Sequence, residues 1–202
     1  MPNHVRSVVE INGTKKSMDA IRTMWVRDDD GYEYLDFDKI IPETPDVKKS
    51  IEDDKYYPEG WEKELDYQPM YIFGNEPADP APYWYEWHCH YWGTKWNSYE
   101  GEFYGESPDK LRFSFLTAWS VPQPIFEELV RKFHNVKIKV EYADEDYGNN
   151  CGILGLKWNS RKKKVEVVET SMEGNEMWAA MLHNGWTEDE YYDYKKEIEG
   201  ER

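Results

Sequence analysis

An α+β domain of the ferredoxin-like, split β-α-β kind is the fold class this sequence predicts. Three observations lead there. Strand-like and helix-like segments alternate as β-α-β twice, a long proline-punctuated insertion separates the two halves, and a hairpin followed by helices closes the chain. Two β-α-β halves in one small domain share a single sheet with helices packed against one face.

Val5 to Asn12 is rich in β-branched residues and alternates roughly before Gly13, which reads as a first strand ending in a turn. Met18, Ile21, Met24 and Trp25 then fall at helical spacing, with Thr14 or Ser17 as the capping residue and Asp28-Asp29-Asp30-Gly31 as the break. Leu35, Phe37 and Lys39 alternate up to Ile41 and predict a short second strand before Pro42. Residues 42–83 hold seven prolines, with short helical candidates at Asp46–Lys55 and Trp61–Tyr67. Trp61, Tyr67 and Met70–Phe73 make this an insertion that packs, not a linker. Trp84, Trp87, His88 and Tyr91 again lie at helical spacing.

Leu111, Phe113, Phe115 and Thr117 alternate as a central strand. Pro122 and Pro124 open a helix whose apolar stripe is Ile125, Phe126, Leu129, Val130 and Phe133, because proline is tolerated in a first turn. Val136, Ile138, Val140 and Tyr142 alternate with Lys137, Lys139 and Glu141, a strand with one wet face. Ile153–Trp158 and Val165–Val168 flank Asn159–Lys163 as a hairpin. Helices follow over Asn175–Leu182 and Thr187–Ile198, the second opened by the capping-box pair Thr187 and Glu190. The expected organisation is a domain over residues 1–155, with its insertion at about 42–92, and a hairpin-plus-helix extension over 156–202 packed on it.

Composition fits a folded protein. Aromatic residues make up 16% of the chain, with 10 Trp and 16 Tyr, against 39% hydrophobic overall. Each aromatic buries roughly 150–250 Å², so a few of them supply the core that aliphatics would otherwise fill. The start lacks the apolar region of a secretion signal, and no apolar run reaches membrane-spanning length, so a soluble, cytoplasmic protein is expected. Cys89 and Cys151 are too few for a disulfide scaffold and read as reduced thiols.

Charge is the second strong signal. Forty-one acidic against 25 basic residues give a net −16. A chain of this mass exposes roughly 10,000 Å², hence about one net negative charge per 600 Å². Such a surface repels phosphate backbones and attracts cationic partners. Direct nucleic-acid binding is therefore disfavoured, and a basic protein is the better ligand.

Five ordered blocks carry a family likeness: Met1-Pro2-Asn3-His4-Val5; Leu35–Pro42; Trp92-Gly93-Thr94-Lys95-Trp96-Asn97; Thr117-Ala118-Trp119-Ser120 with Pro122 and Pro124; and Tyr142–Asp146 with Asn150 and Gly152 behind them. In these the chain resembles the YubB-like ferredoxin-fold family, found mainly on phages, plasmids and integrated mobile elements. The likeness spans about residues 1–155. Val121 stands where the family pattern has a proline, while Pro122 keeps the next one. The resemblance implies the fold and a mobile-element setting in a bacterial host. It implies no activity and no catalytic residues.

Several constellations invite chemistry. His88-Cys89-His90 suggests a metal cluster, but on a helix residues two apart point in opposite directions, so no metal or cofactor is expected there. Asp28–Gly31 and Asp144–Asn150 lack the oxygen-ligand spacing of a calcium loop. Asp144, Glu145 and Asp146 at a strand end resemble one half of a Mg²⁺-dependent nuclease site, but the basic track for its substrate is missing. Trp92, Lys95, Trp96 and Trp119 could stack single-stranded bases, with Arg161–Lys164 as the basic cluster; packing of the insertion is the competing reading. Gly-x-Ser-x-Gly, Walker and dinucleotide fingerprints do not occur.

The acidic clusters at Asp28–Asp38, Glu52-Asp53-Asp54, Glu59–Asp66, Asp144–Asp146 and Glu188–Glu201 remain. The expectation is a non-catalytic interaction protein whose acidic face imitates a row of phosphates and engages a basic, nucleic-acid-handling host protein, an anti-defence role. A single-strand binding module and a metal-dependent nuclease are the alternatives.

Overall fold

β1 (His4–Asn12) is the strand the molecule is built around, since it pairs antiparallel with β5 on one side and β6 on the other. In a computed structural model, which describes residues 3–29, 31–52 and 84–200, β1 is followed by α1 (Lys15–Arg22), β2 (Trp25–Arg27), β3 (Glu33–Leu35), a 3-10 turn at Phe37–Lys39 and α2 (Pro45–Glu52). Then come α3 (Trp84–Tyr91), β4 (Tyr99–Ser107), β5 (Lys110–Ala118), α4 (Gln123–Lys132), β6 (Lys137–Asp144), β7 (Gly152–Asn159), β8 (Lys164–Ser171), α5 (Glu176–Asn184) and α6 (Glu188–Gly200).

Eight strands form one antiparallel sheet in the order β2-β3-β4-β5-β1-β6-β7-β8. Its central four, β4-β5-β1-β6, with α1 after β1 and α4 after β5, are the ferredoxin-like split β-α-β arrangement. The C-terminal hairpin continues the same sheet, because β7 runs through residue 155 and pairs with β6 from Tyr142–Gly152 to Lys137–Lys157. The 155/156 boundary therefore falls inside a strand.

Alternation along β1 buries Val5, Ser7, Val9 and Ile11 on one face. The same face takes Phe113 and Phe115 from β5, Ile138 and Val140 from β6, and Leu154 and Leu156 from β7. Met18 and Ile21 of α1 and Ile125, Phe126 and Leu129 of α4 close over it, so both helices of the split motif lie on this side. Of the two capping candidates in the sequence, Thr14 and Ser17, it is Thr14 that caps α1, accepting from the Ser17 amide.

The second strand of the motif is not where the alternation at Leu35–Ile41 puts it. Asp36 accepts the Asp38 amide and the Asn97 side chain accepts the Phe37 amide at 2.9 Å, so this backbone is drawn into a 3-10 turn. β4 takes the place instead. Its only strong inward apolar group is Phe103, set between glycines and glutamates, which hides the period-2 signal. Gly101 is required by close approach: a Cβ there would lie 2.4 Å from the Glu33 carbonyl oxygen and 2.5 Å from the Trp25 ring.

α5 covers the other face at one end only. Ala143, Cys151 and Ala179 form a second small core, and the Arg6 guanidinium donates to the His183 carbonyl at 2.6 Å. His183 Nε2 lies 3.1 Å from the His4 carbonyl, and Nδ1 is buried. Burial pushes the His183 pKa down, with its hydrogen bond to the His4 backbone opposing. The helical candidate at Trp61–Tyr67 lies outside the described residues. Among the described residues no helix is long and apolar enough to cross a membrane.

Two outcomes follow. Phe115→Ala removes a fully buried ring that touches Phe37, Phe113 and Phe126, and should cost about 3–5 kcal/mol in urea unfolding. For His183 the folded pKa lies below the unfolded one, so the unfolded state binds more protons and stability falls as pH drops below about 6.5. His183→Gln should flatten that part of the stability–pH curve, measured by thermal unfolding from neutral to mildly acidic pH.

Candidate functional site

The Trp92–Trp119 region that dominates the sequence divides into a buried hub and an exposed cage. Trp92 is only 2% exposed, and its indole N–H donates to the Ile41 carbonyl at 3.0 Å. Its ring stacks on His88 at 3.9 Å and 10°. His88 is held in turn by Glu43 (2.6 Å from Nε2) and by the Lys95 carbonyl (2.9 Å from Nδ1). Trp92 is thus a clamp fixing the segment after residue 35 to α3, and it cannot stack a base. A cavity of about 400 Å³ opens beside this hub, lined by Glu43, Trp84, His88 and Trp96 among others.

Lys95, Trp96 and Trp119 come together outside the hub. The Lys95 ammonium sits 4.9 Å from each of the Trp96 and Trp119 rings and 5.9 Å from Tyr85. The cage is filled by the chain's own cation, a contact worth about 0.5–1 kcal/mol at a surface. β5 ends at Ala118, and Trp119 adopts φ +70°, which turns its side chain off the core face that Thr117 occupies. That conformation is unfavourable for a bulky residue, and it is held at both ends: the Trp119 amide donates to the Asn3 carbonyl, and Asn150 donates to the Trp119 carbonyl, each at 2.9 Å.

His88, Cys89 and His90 lie on α3, with His88 committed to Glu43. Burial first, and then the nearby Glu86, push the Cys89 thiol up to about 11, so it is no ready thiolate. Among the described residues no group of three or more His, Cys, Asp or Glu converges as metal ligands would.

Asp144 departs from the expected surface carboxylate. It is 4% exposed on the core face of β6. Its oxygens accept from Asn3 Nδ2 (3.0 Å), the Asp146 amide (2.9 Å) and Asn150 Nδ2 (3.0 Å). The same Asn3 and Asn150 hold Trp119, so this carboxylate ties the start of β1, the end of β5 and the turn after β6 into one knot. With both oxygens accepting hydrogen bonds, Asp144 holds structure. Glu145 and Asp146 are exposed beside it.

Sequence-distant acidic clusters meet at Tyr147. Its ring lies 6.1 Å from Tyr194 and 6.2 Å from Trp186, and the Gly174 amide donates to the Gly148 carbonyl at 2.8 Å. Glu145, Asp146, Glu173 and Glu176 thereby share one end of the molecule with α6. Along α6 stand Glu188, Asp189, Glu190, Asp193, Glu197 and Glu199 against Lys195 and Lys196. Lys195 pairs with Glu176 at 2.7 Å, and Thr187 and Glu190 form the predicted capping box. Glu52 is exposed at the end of α2, away from this group in sequence, and Asp53 and Asp54 lie outside the described residues.

The sequence also hid an arrangement of cations. Lys110, Arg112, Lys137, Lys139 and Lys157 come from three strands yet face one side of the sheet, through pairings that no single segment displays.

Residues 91–183 match the family model described as the ferredoxin-like domain in Api92-like protein. Among solved structures, the crystal structure of a protein api92 from Yersinia pseudotuberculosis is similar at 12% identity, over 85% of this chain and 99% of that one, with a TM-score of 0.45. No curated protein matches.

Asp144→Asn should leave an amide facing donor groups in a buried pocket, costing about 1–3 kcal/mol. Urea unfolding measures the loss; stability equal to the parent would contradict the structural role assigned to this carboxylate.

Proposed function

We propose that this chain is a non-catalytic interaction protein of the phage or mobile-element type, working in the bacterial cytoplasm, whose acidic end engages a basic host protein. What supports the reading is the gathering at one end of carboxylates from three separate stretches of sequence: the turn after β6, the turn before α5, and α6. Along α6 the carboxylates outnumber the cations six to two. Tyr192 (48% exposed) and Ile198 (37%) stand among them and give a partner apolar anchors. Charge of one sign on a firm helical support attracts arginine- and lysine-lined channels and speeds association at low salt. A nucleic-acid-handling protein, with such a channel, is the partner class this chemistry fits. Mimicry of a phosphate row would let the chain obstruct a defence nuclease without any catalysis of its own.

The test is capture from host lysate on immobilised protein at rising salt. A basic nucleic-acid-handling protein should be retained at low salt and released as salt rises, and Asp189→Lys with Asp193→Lys should lower its recovery several-fold. Recovery of no such partner at low salt, or recovery indifferent to the double reversal, counts against the proposal.

A further inference from the structure

Among the described residues, the sheet face opposite α1 and α4 is covered by α5 at one end and left uncovered at the other, and the uncovered end is cationic. Strand register sets two rows across it. The first runs Ser107, Lys110, Asn12, Lys137, Lys157, Glu166, and the second Gly105, Arg112, Glu10, Lys139, Gly155, Val168. The two rows hold five cations and two carboxylates. Lys137 and Lys157 are direct cross-strand partners, about 5 Å apart, with like charges that destabilise the pairing. The β7–β8 turn adds Arg161, Lys162 and Lys163 at the same end, with Lys164 opening β8.

We infer that this open face binds the backbone of single-stranded nucleic acid along the Lys110, Lys137, Lys157 row. Three observations carry the inference. Lys110, Lys139, Lys157 and Lys162 are partly offset by Glu10, Glu141 and Glu166, but the five row cations against these three carboxylates still leave a net positive patch in a chain of net −16. The face also presents a fixed aromatic platform. Tyr104 is 45% exposed, its hydroxyl is hydrogen-bonded to Ser114 at 2.6 Å, and Arg112 lies 5.7 Å from its ring centre. A ring anchored through its hydroxyl beside a guanidinium suits base stacking, which an acidic peptide has no use for. Finally, the acidic end is far enough away. An eight-residue strand such as β6 spans about 26 Å, more than three Debye lengths at physiological salt, so the carboxylates of α6 do not cancel the field at the opposite end. The overall charge that disfavours nucleic acid elsewhere on the surface does not govern this patch.

The experiment is fluorescence anisotropy of a labelled oligothymidylate with the full chain, from low to rising salt, with poly-glutamate as competitor. Binding is expected at low salt, with log K falling against log salt by about 0.7 per phosphate neutralised. Lys137→Glu with Lys157→Glu should weaken binding about tenfold or more and make the slope shallower by about 1.4. Tyr104→Leu should weaken it by about fivefold or more with the slope unchanged. Lys137→Gln with Lys157→Gln, checked for native circular dichroism, repeats the charge test without reversal. Absence of binding at the lowest salt, affinity untouched in both lysine pairs, or poly-glutamate binding as tightly as the oligonucleotide overturns the inference. None of these results touches the acidic-end proposal, which rests on other residues.

Discussion

The register of β1 is the constraint on which everything else rests. It pairs residue by residue with β5 from His4–Ala118 to Asn12–Lys110, and with β6 from Val5–Asp144 to Asn12–Lys137. A slip of one residue would turn Val5, Val9 and Ile11 outward and bring Arg6, Val8 and Glu10 into the core. The same slip would break up the rows of lysine and arginine on the far side. One register therefore sets both the apolar face that holds the helices and the charged face that meets solvent.

Two side-chain knots fix the ends of that arrangement. Asp144 gathers donors from Asn3, Asp146 and Asn150, and the two asparagines hold Trp119 in its left-handed turn. Glu43, His88 and Trp92 do the corresponding work where the segment after β3 meets α3. Both knots use residues that look catalytic in isolation, a buried carboxylate and a histidine–carboxylate pair. Their partners account for them: Asp144 accepts from backbone and amide donors, while His88 bridges the Glu43 carboxylate and the Lys95 carbonyl, so buried polar groups are paired.

Much of the fold was legible in the sequence. β1, β5, β6 and the β7–β8 hairpin have period-2 apolar patterns, and α1, α4 and α6 carry capping or first-turn signals that the structure keeps. What escaped was β2 at Trp25–Arg27, where the helical stripe is expected to run on through Met24 and Trp25 but α1 ends at Arg22, then β4, whose inward side has Phe103 but little else, and the 3-10 turn at Phe37–Lys39, where alternating residues are overruled by side-chain acceptors from Asp36 and Asn97. Of the candidate residues, Lys95, Trp96 and Trp119 do meet, whereas Trp92 and Asp144 lie in the interior. A motif shows that a tryptophan or an aspartate is needed; only the surrounding acceptors and donors show whether it faces solvent. The cation rows are a property of pairing between distant strands, so no local window contains them.

Among the described residues, two patches of opposite charge stand apart. Carboxylates from the turn after β6, the turn before α5 and α6 lie at one end of the sheet, and the lysine and arginine rows lie at the other. The most direct test of that account is an amide chemical-shift map of isotope-labelled protein titrated separately with poly-lysine and with oligothymidylate. Two disjoint sets of shifts are expected: residues 145–146 and 188–199 with the polycation, and the strand positions around Lys110, Lys137 and Lys157 with the oligonucleotide. One shared set for both ligands, or shifts scattered evenly over the surface, would contradict it.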